Sequence, residues 1–492
     1  MAILAVALVS MLPSPASASS KQLSVVEDDA VFPGLTNRDP DAALARAKAL
    51  GADAVRVVVL WRGASPADQS RTIPPGFDPA NANSPGYKWA QYDNLIDRAR
   101  HHGLKVILNL APGIPYWGSK EPGACPRAIP GRKPNPYSSC YWKPDPKLFA
   151  KFAKAAATRF KGKVALYSLY NEPNLENFLY PQSRRTKYGT VDLGGKQLRE
   201  LWTGAYKAVT RVDPHMKKRV LFGETAAISA PIDTLYSALC LTRKGKPYTG
   251  KLKKLQGCSK PSMLPIAGLS VHPYNQSALG GVFTRSATKS SLALGYLNRA
   301  TRVLKTAEKY KRIPKGKGIY VTEFGFQTKP PDPKGLSFAG QARAVNESER
   351  LFFGDRRIKS TAQFELYDVP DTPGLDIFNT GLFTKTGKPK PALAAWRLPL
   401  VVSRLSSNRV EIWGQARPAS GPTTTAIEMS SSAKRPFKRL RTVRTNSAGY
   451  FRFQLDRSGA ATQRYRMAWR SPKGKRFTSR VASAGRPIKY RR

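Results

Sequence analysis

Short apolar runs recur along the chain from residue 23 to about residue 397 and alternate with segments whose apolar residues have helical spacing. The runs are nearly continuous in Val, Ile, Leu and Ala, which is typical of parallel strands that are covered on both faces. The pattern predicts eight strands, at residues 23–26, 54–60, 104–110, 164–169, 220–224, 266–272, 319–323 and 362–366.

The segments between these runs have recognisable helix ends. Asp39 followed by Pro40 is a typical N-cap and first helical residue, and Gly51 is placed to end that helix. A second predicted helix runs through Tyr92 and ends at Gly103. Eight strands that alternate with helices favour an α/β fold, a closed (β/α)8 TIM barrel with its helices on the outside.

The texture of the sequence changes at about residue 405. Four short apolar runs, at 410–413, 426–429, 450–455 and 465–469, are separated by Ser, Thr, Gly and Pro. This pattern predicts a small antiparallel β domain of sandwich type. We therefore divide the chain into a leader at 1–18, a barrel at 19–398 and a β domain at 399–492.

The N-terminus resembles a secretory signal peptide. Residues 2–12 are almost wholly apolar, and Ala16-Ser17-Ala18 has the small residues that a signal peptidase needs, although the usual basic residues are missing. The alternative is a buried N-terminal segment. No later run reaches the roughly 18 apolar residues of a membrane span, so we expect a secreted protein, extracellular or associated with the cell wall.

The four cysteines form two pairs that are local in sequence. In an oxidising compartment, Cys125 with Cys140 and Cys240 with Cys258 are the natural bridges among three connectivities. Their spacings are not of the C-x2-C type and no histidine lies close to them in sequence, so we expect no metal site and no cofactor.

The chain is strongly basic. Its 82 Lys and Arg residues exceed its 32 Asp and Glu residues, which gives a formal charge of +50. Residues 401–492 alone hold 22 basic and three acidic residues, a net charge of +19. This charge predicts an anionic partner, and the basic domain either attaches to an anionic cell-wall polymer or is a spacer. Specific nucleic-acid binding is not expected, because no helix-turn-helix, RNP or zinc pattern is present.

Two predicted strands end in glutamates that face one opening of the barrel. Asn171-Glu172-Pro173 follows the fourth strand, and Glu323 ends the seventh. Catalytic groups of such barrels lie at the C-terminal strand ends, where two carboxyl groups can flank one glycosidic bond. A separation of about 5 to 5.5 Å is typical of retaining hydrolases, and about 6.5 to 9.5 Å of inverting ones.

These motifs resemble the clan A glycoside hydrolases, either the cellulase-like family 5 or family 39, over roughly residues 23–397. The resemblance implies an enzyme that cleaves β-glycosidic bonds by double displacement, which the predicted signal peptide would direct out of the cell. The long loops around the mouth favour a cleft, and hence cleavage within a polysaccharide chain over cleavage at its end. It implies that Glu172 is the acid/base, that Glu323 is the nucleophile and that Asn171 binds the sugar 2-hydroxyl group.

Three further positions match the clan pattern. Arg56 in the second strand corresponds to an arginine that contacts the nucleophile, and His272-Pro273-Tyr274 resembles a His-x-Tyr motif whose tyrosine does the same. Glu224, at the end of the fifth strand, is interpreted as a residue of a polar network or of the substrate site.

Aromatic side chains are candidates for sugar-binding platforms because pyranose rings have apolar C–H faces. Trp61, Trp117 and Trp142 follow the second and third strands, with loop-anchoring core positions as the alternative. Where the clan usually has a tryptophan after the eighth strand, this chain offers Phe364 or Tyr367.

Two other functions compete with hydrolysis. The chain could be a non-catalytic carbohydrate-binding or cell-wall-binding protein on a barrel scaffold, or its charge alone could reflect nucleic-acid binding. The first is disfavoured by the presence of both glutamates, and the second by the missing motifs.

Overall fold

The computed structural model describes residues 19, 21–125, 140–275, 278–286, 288–369, 379–417, 419 and 421–491. The predicted leader at 1–18 lies outside these residues. Within them, no helix combines the length and the hydrophobicity that a bilayer-spanning segment needs.

Eight parallel strands close into a barrel in the order β1, β2, β3, β4, β7, β8, β9 and β10, and β10 pairs with β1. The closing register places Val25 beside Ala362 and Val26 beside Gln363. Two further strands, β5 and β6, form an antiparallel hairpin in the loop after β4. The predicted TIM barrel is thereby confirmed. The bounds are β1 Leu23–Glu27, β2 Ala54–Leu60, β3 Lys105–Ala111, β4 Leu166–Leu169, β5 Ser183–Thr186, β6 Gly189–Asp192, β7 Val220–Ala226, β8 Gly268–His272, β9 Gly318–Val321 and β10 Ile358–Phe364.

Helices cover the outside of the barrel, and the first begins at Pro40, as predicted. The Asp39 side chain accepts a hydrogen bond from the Asp41 backbone N–H at the start of α1, and Gly51 and Gly103 take positive φ after α1 and α3. The bounds are α1 Pro40–Ala49, α2 Trp61–Ala64, α3 Ala90–His101, α4 Pro146–Arg159, α5 Leu193–Val212, α6 Pro231–Ala238, α7 Gly250–Leu255, α8 Asn298–Lys309, α9 Phe338–Phe353 and α10 Pro391–Arg397. Short 3-10 turns lie at Tyr116–Gly118, Pro122–Ala124, Pro214–Lys218, Ala278–Phe283, Leu294–Tyr296 and Ala460–Thr462.

The last barrel strand lies closer to the N-terminus than predicted. It spans Ile358–Phe364 rather than 362–366. The prediction missed its first half because those residues are polar in sequence, although Ser360 and Thr361 are buried in the structure. Glu365 then takes a left-handed conformation with φ 63° and its N–H donates to the carbonyl of Glu27, which ends the ladder.

The C-terminal residues form two packed antiparallel sheets, as predicted. One has the order β11, β12, β15, and the other β14, β13, β16, β17 with β18 beside β16. The strand β14 was not predicted from the sequence, because four of its seven residues are Lys or Arg. The bounds are β11 Leu400–Arg404, β12 Arg409–Gln415, β13 Thr424–Ser430, β14 Lys438–Arg444, β15 Tyr450–Asp456, β16 Arg464–Arg470, β17 Arg476–Thr478 and β18 Ala482–Ser483.

The β domain packs firmly against α9, near the N-terminal end of the barrel strand β1. Arg417, which is buried, pairs with Glu349 of α9, and its Nε donates to the Ser24 hydroxyl at 2.8 Å near the start of β1. Beside this ion pair, Phe353 packs on Trp413 with ring centroids 5.4 Å apart. The two parts of the chain therefore share a buried polar and aromatic interface.

Removing one partner of this buried ion pair should destabilise the whole protein. We expect Arg417→Met to cost about 3 to 5 kcal/mol of unfolding free energy, because Glu349 is left buried without a cation. The double variant Arg417→Met/Glu349→Leu should recover most of the loss. Urea denaturation measures both, with the exposed Arg444→Met as control; an Arg417→Met variant as stable as that control would contradict the interface.

Candidate active site

The mouth of the barrel collects carboxyl groups from the ends of four strands. Glu27 ends β1, Glu172 follows β4, Glu224 lies in β7 and Glu323 follows β9. Glu172 and Glu224 take positive φ, 44° and 47°, a backbone conformation that costs about 1 to 3 kcal/mol per residue for a side chain other than glycine. Strain of this kind persists only where surrounding contacts fix the geometry, and it is concentrated at functional sites.

Arg56, buried in β2, is the centre of these contacts. One terminal nitrogen donates to Glu27 and, at 3.2 Å, to Glu323 Oε2. The other donates to Asn171 Oδ1 at 2.7 Å and to Glu224 Oε2 at 2.9 Å. The planar guanidinium therefore fixes four side chains at once, and the amide oxygen of Asn171 is held so that its NH2 group is left to donate elsewhere.

His272, at the end of β8, is the second cation of the mouth. Its Nε2 lies 2.8 Å from Glu224 Oε2, and its Nδ1 lies 3.0 Å from Glu172 Oε1 and 3.4 Å from Glu323 Oε2. The Tyr274 hydroxyl donates to Glu323 Oε1 at 3.0 Å. Glu323 is thus held by three groups that donate or carry positive charge.

Two of the four glutamates are accessible and two are not. The side chains of Glu172 and Glu323 are 14% and 15% exposed, whereas those of Glu27 and Glu224 are fully buried. One carboxylate oxygen of Glu172 and one of Glu323 lie within 4.8 Å of each other. A molecule that enters the mouth therefore meets this pair, while the buried pair can act only through other residues.

Burial and charge set different protonation states within the network. Burial raises the pKa of Glu172, against the hydrogen bond from His272. Burial alone would also raise the pKa of Glu224, but Arg56 and His272 outweigh it and lower that pKa to about 2. Burial alone would lower the pKa of His272, yet the carboxylates of Glu323, Glu172 and Glu224 raise it to about 10. At neutral pH, Glu224 is a carboxylate and His272 an imidazolium.

The side chains of Glu172, His272 and Glu323 lie close enough together to be considered as a metal site. Within the described residues, Glu172, His272 and Glu323 present oxygen and nitrogen atoms that all lie within 4.8 Å of one another, a spacing at which a cation could be held. Both ring nitrogens of His272 face carboxylates, however, and its raised pKa keeps both protonated. A protonated imidazole has no lone pair to offer a metal, so the donor set fits a proton network better than a cation site.

Two predicted sugar platforms are corrected by the structure. Trp61 is fully buried and packs against Trp117, Phe149 and Phe152, so it anchors the core beneath the loops and has no free face. Trp117 is buried in the same cluster.

Tyr367, a third predicted sugar platform that the structure corrects, is also buried. Its ring stacks on Phe383 at 5.0 Å, and the Arg38 guanidinium lies 4.4 Å from its centroid. Both partners are distant in sequence. The tyrosine therefore packs between loops rather than lining a subsite.

Two other aromatic candidates are only half-buried. Phe364 is half-buried at the end of β10, and its ring stands perpendicular to that of Tyr274 with centroids 6.4 Å apart. Trp142 is half-buried, and its indole N–H donates to Glu121 at 2.6 Å beside Tyr180 of the loop after β4. These two rings are the better candidates for sugar contacts.

Both local cysteine pairs form disulfides, Cys125 with Cys140 and Cys240 with Cys258. The first joins two residues that lie between β3 and α4. The second closes a loop after α6 on the outside of the barrel.

Three members of the network were missed by the sequence reasoning. Glu27 contacts Arg56, while the hydroxyls of Ser270 and Thr322 both donate to Glu224 Oε1, Thr322 at 3.3 Å. Glu27 could have been found, because it ends an apolar strand in the same way as Glu224 and Glu323. The two hydroxyls have no sequence signal of their own.

No protein-family model matches this chain, and no curated protein matches it in sequence. Solved structures do match. A family 39 glycoside hydrolase from the gut symbiont Bacteroides cellulosilyticus WH2 is 14% identical, with 90% of this chain and 83% of that chain covered and a TM-score of 0.50. The β-glycosidase of the hyperthermophile Thermosphaera aggregans is 15% identical, with coverages of 77% and 96% and a TM-score of 0.44.

A family 44 xyloglucanase from Paenibacillus polymyxa is 10% identical, with coverages of 92% and 96% and a TM-score of 0.40. The likeness to the family 39 structure is one of fold. It confirms the predicted barrel fold.

The buried Glu224 carboxylate should make stability depend on pH in acid. Its pKa is about 2 in the folded protein and ordinarily 4.5, so its contribution is present above about pH 4.5 and is lost as the pH falls toward 2. Between pH 4.5 and 2 the unfolding free energy of Glu224→Gln should fall less steeply with pH than that of the wild type. The difference in slope should correspond to about one proton fewer taken up on unfolding. Urea titrations from pH 2 to 6 measure this, with the exposed Asp97→Asn as control; identical slopes for wild type and Glu224→Gln would contradict the assignment.

Proposed function

We propose that this protein is a retaining glycoside hydrolase that cleaves β-glycosidic bonds by double displacement. Glu323 attacks the anomeric carbon, and Glu172 protonates the leaving oxygen and later activates water. The observation that carries the proposal is the pair itself: of the four glutamates of the mouth, these two have partly exposed side chains, and one oxygen of each lies within 4.8 Å of the other. That spacing supports retention, because inversion needs about 6.5 to 9.5 Å to admit a water molecule.

The surroundings of each carboxyl group suit its proposed role. Burial raises the pKa of Glu172, which favours the protonated form that a general acid needs. Glu323 is oriented by Arg56, His272 and Tyr274 from three sides, which supports its role as a positioned nucleophile. Within the described part of the chain the amide N–H groups of Asn171 donate to no side chain, so they are available to a sugar hydroxyl beside Glu172.

We infer further that the protein is secreted and acts on a polysaccharide within its chain. Two disulfides support an oxidising compartment. The long loops after β3 and β4 support a cleft rather than a chain-end pocket, and attachment of the basic β domain to an anionic cell-wall polymer stays a prediction. Because this domain shares a buried interface with α9, that prediction is better tested by replacing exposed cations of β14, Lys438, Arg439 and Arg444, than by deleting the domain.

Loss of either accessible glutamate should abolish hydrolysis. We expect Glu172→Gln and Glu323→Ala each to lower kcat by about 10³-fold or more, because each removes a group that acts in the transition state. Reducing-end release by residues 19–492 from β-glucans, xylan, mannan and uronate-containing polymers measures this, with Glu308→Gln on α8 as a matched control. Undiminished release by both variants would contradict the assignment, and no release from any polymer by the folded protein would favour the non-catalytic binding function.

His272 should set the basic limb of the pH profile. Its imidazolium lowers the pKa of Glu172, so we expect His272→Gln to raise that pKa and move the basic limb of kcat/KM upward by about one pH unit. Tyr274→Phe is the matched control, because it removes a donor to Glu323 but none to Glu172, and its basic limb should stay in place. A basic limb that moves downward in His272→Gln would contradict this electrostatic role.

A further inference from the structure

A second concave surface lies on the outside of the barrel, away from the mouth. It is a cavity of about 610 Å³ between α4, α5 and the loop that the Cys240–Cys258 disulfide closes. Pro146, Leu239 and Leu264 form an apolar floor, and the rim carries Lys147, Lys207 and Lys260. None of these three ammonium groups has a carboxylate within 4.0 Å among the described residues. Asp145 and Glu200 also line the cavity, but its Lys and Arg residues outnumber them by five to two, so the lining keeps a net positive charge.

The loop beside this cavity, residues 240–258, continues the positive charge. It contains six Lys and Arg residues and no acidic residue. In the part of the chain that the structure describes, their one ion pair is Arg243 with Asp233 at 3.3 Å. Like charges held this close repel one another, and an anionic ligand would relieve that repulsion.

This loop is held in place by specific contacts. The disulfide packs with Tyr248 in a small apolar cluster of its own. Gln256 is fully buried, accepts a hydrogen bond from the backbone N–H of Asp192 at 3.1 Å and donates to the Ser237 hydroxyl at 2.7 Å. The hairpin β5–β6, whose exposed Arg184, Arg185 and Lys187 add further cations, packs beside α7 of this loop. The positive charge is therefore preorganised.

We propose that this cavity and loop bind a segment of an acidic polysaccharide, a chain of carboxylate-bearing sugar rings, at a site separate from the barrel mouth. The inference rests on the proposed function, since it gives the enzyme a second binding site for a polymeric substrate. The apolar floor fits the C–H face of a sugar ring, and the lysines of the rim pair with carboxylates. The lining has no aromatic side chain on which bases could stack, so a glycan is favoured over single-stranded nucleic acid.

Binding by an inactive protein tests the site directly. In a Glu323→Ala background, the triple variant Lys147→Gln/Lys207→Gln/Lys260→Gln should bind β-linked oligomannuronate about tenfold more weakly at fixed salt, because three ion pairs are lost. The matched control, Lys309→Gln/Lys315→Gln/Lys359→Gln, removes the same charge from exposed positions on α8, on the turn after it and on β10. It should bind within about twofold of the parent. Thermal unfolding of each variant checks that the fold is intact.

Three results would overturn the inference. The first is that the control triple weakens oligomannuronate binding as much as the cavity triple does, and the second is that the cavity triple leaves this binding unchanged. The third is that the cavity triple weakens the binding of a neutral β-glucan or of a single-stranded oligodeoxynucleotide more than it weakens the binding of oligomannuronate.

The two proposals can fail separately. If the wild type hydrolyses a polymer but the cavity triple binds normally, only the second site is wrong. If the cavity triple loses binding while no polymer is cleaved, the site stands and the hydrolase assignment fails. In an active background, the triple should raise KM for a long acidic polymer and leave kcat/KM for a small aryl glycoside unchanged.

Discussion

Arg56 and His272 carry the positive charge around which the mouth of the barrel is built. Four glutamates converge there from four strand ends, and like charges so close could not all be ionised without cations between them. Arg56 contacts Glu27, Glu224 and Glu323, and His272 contacts the last two and Glu172. Because both cations are fully buried and paired, their positions are fixed, and so are those of the carboxyl groups that an incoming molecule would meet.

The buried glutamate Glu224 links the two cations. It accepts from Arg56, His272, Ser270 and Thr322, and its pKa is held low by this environment. Hydrogen bonds of this kind also offset the cost of its left-handed backbone, φ 47°. The barrel thus separates two tasks: fully buried carboxyl groups position the cations, and partly exposed ones remain available for chemistry.

The sequence predicted the barrel and the residues at its mouth better than it predicted surfaces. Strand patterns depend on local residues, and Glu172, Glu224 and Glu323 follow strand ends, so their convergence follows from the topology of a closed parallel barrel. Trp61 and Tyr367 were misassigned because they are buried by partners distant in sequence, Phe149 of α4 and Arg38, which no local pattern encodes. Strand β14 was missed because its Lys and Arg residues mask the alternation of apolar and polar residues that is typical of a strand. Ser270 and Thr322 were missed because their part in the network depends on contacts with Glu224, which is distant in sequence.

If Glu172 and Glu323 act as acid/base and nucleophile across a short gap, the first product keeps the configuration of the substrate. NMR can follow the anomeric configuration of that product during cleavage of a β-linked oligosaccharide from the active polymer. We expect the β-anomer to appear first and to mutarotate later, because two displacements restore the configuration. Initial appearance of the α-anomer would contradict it.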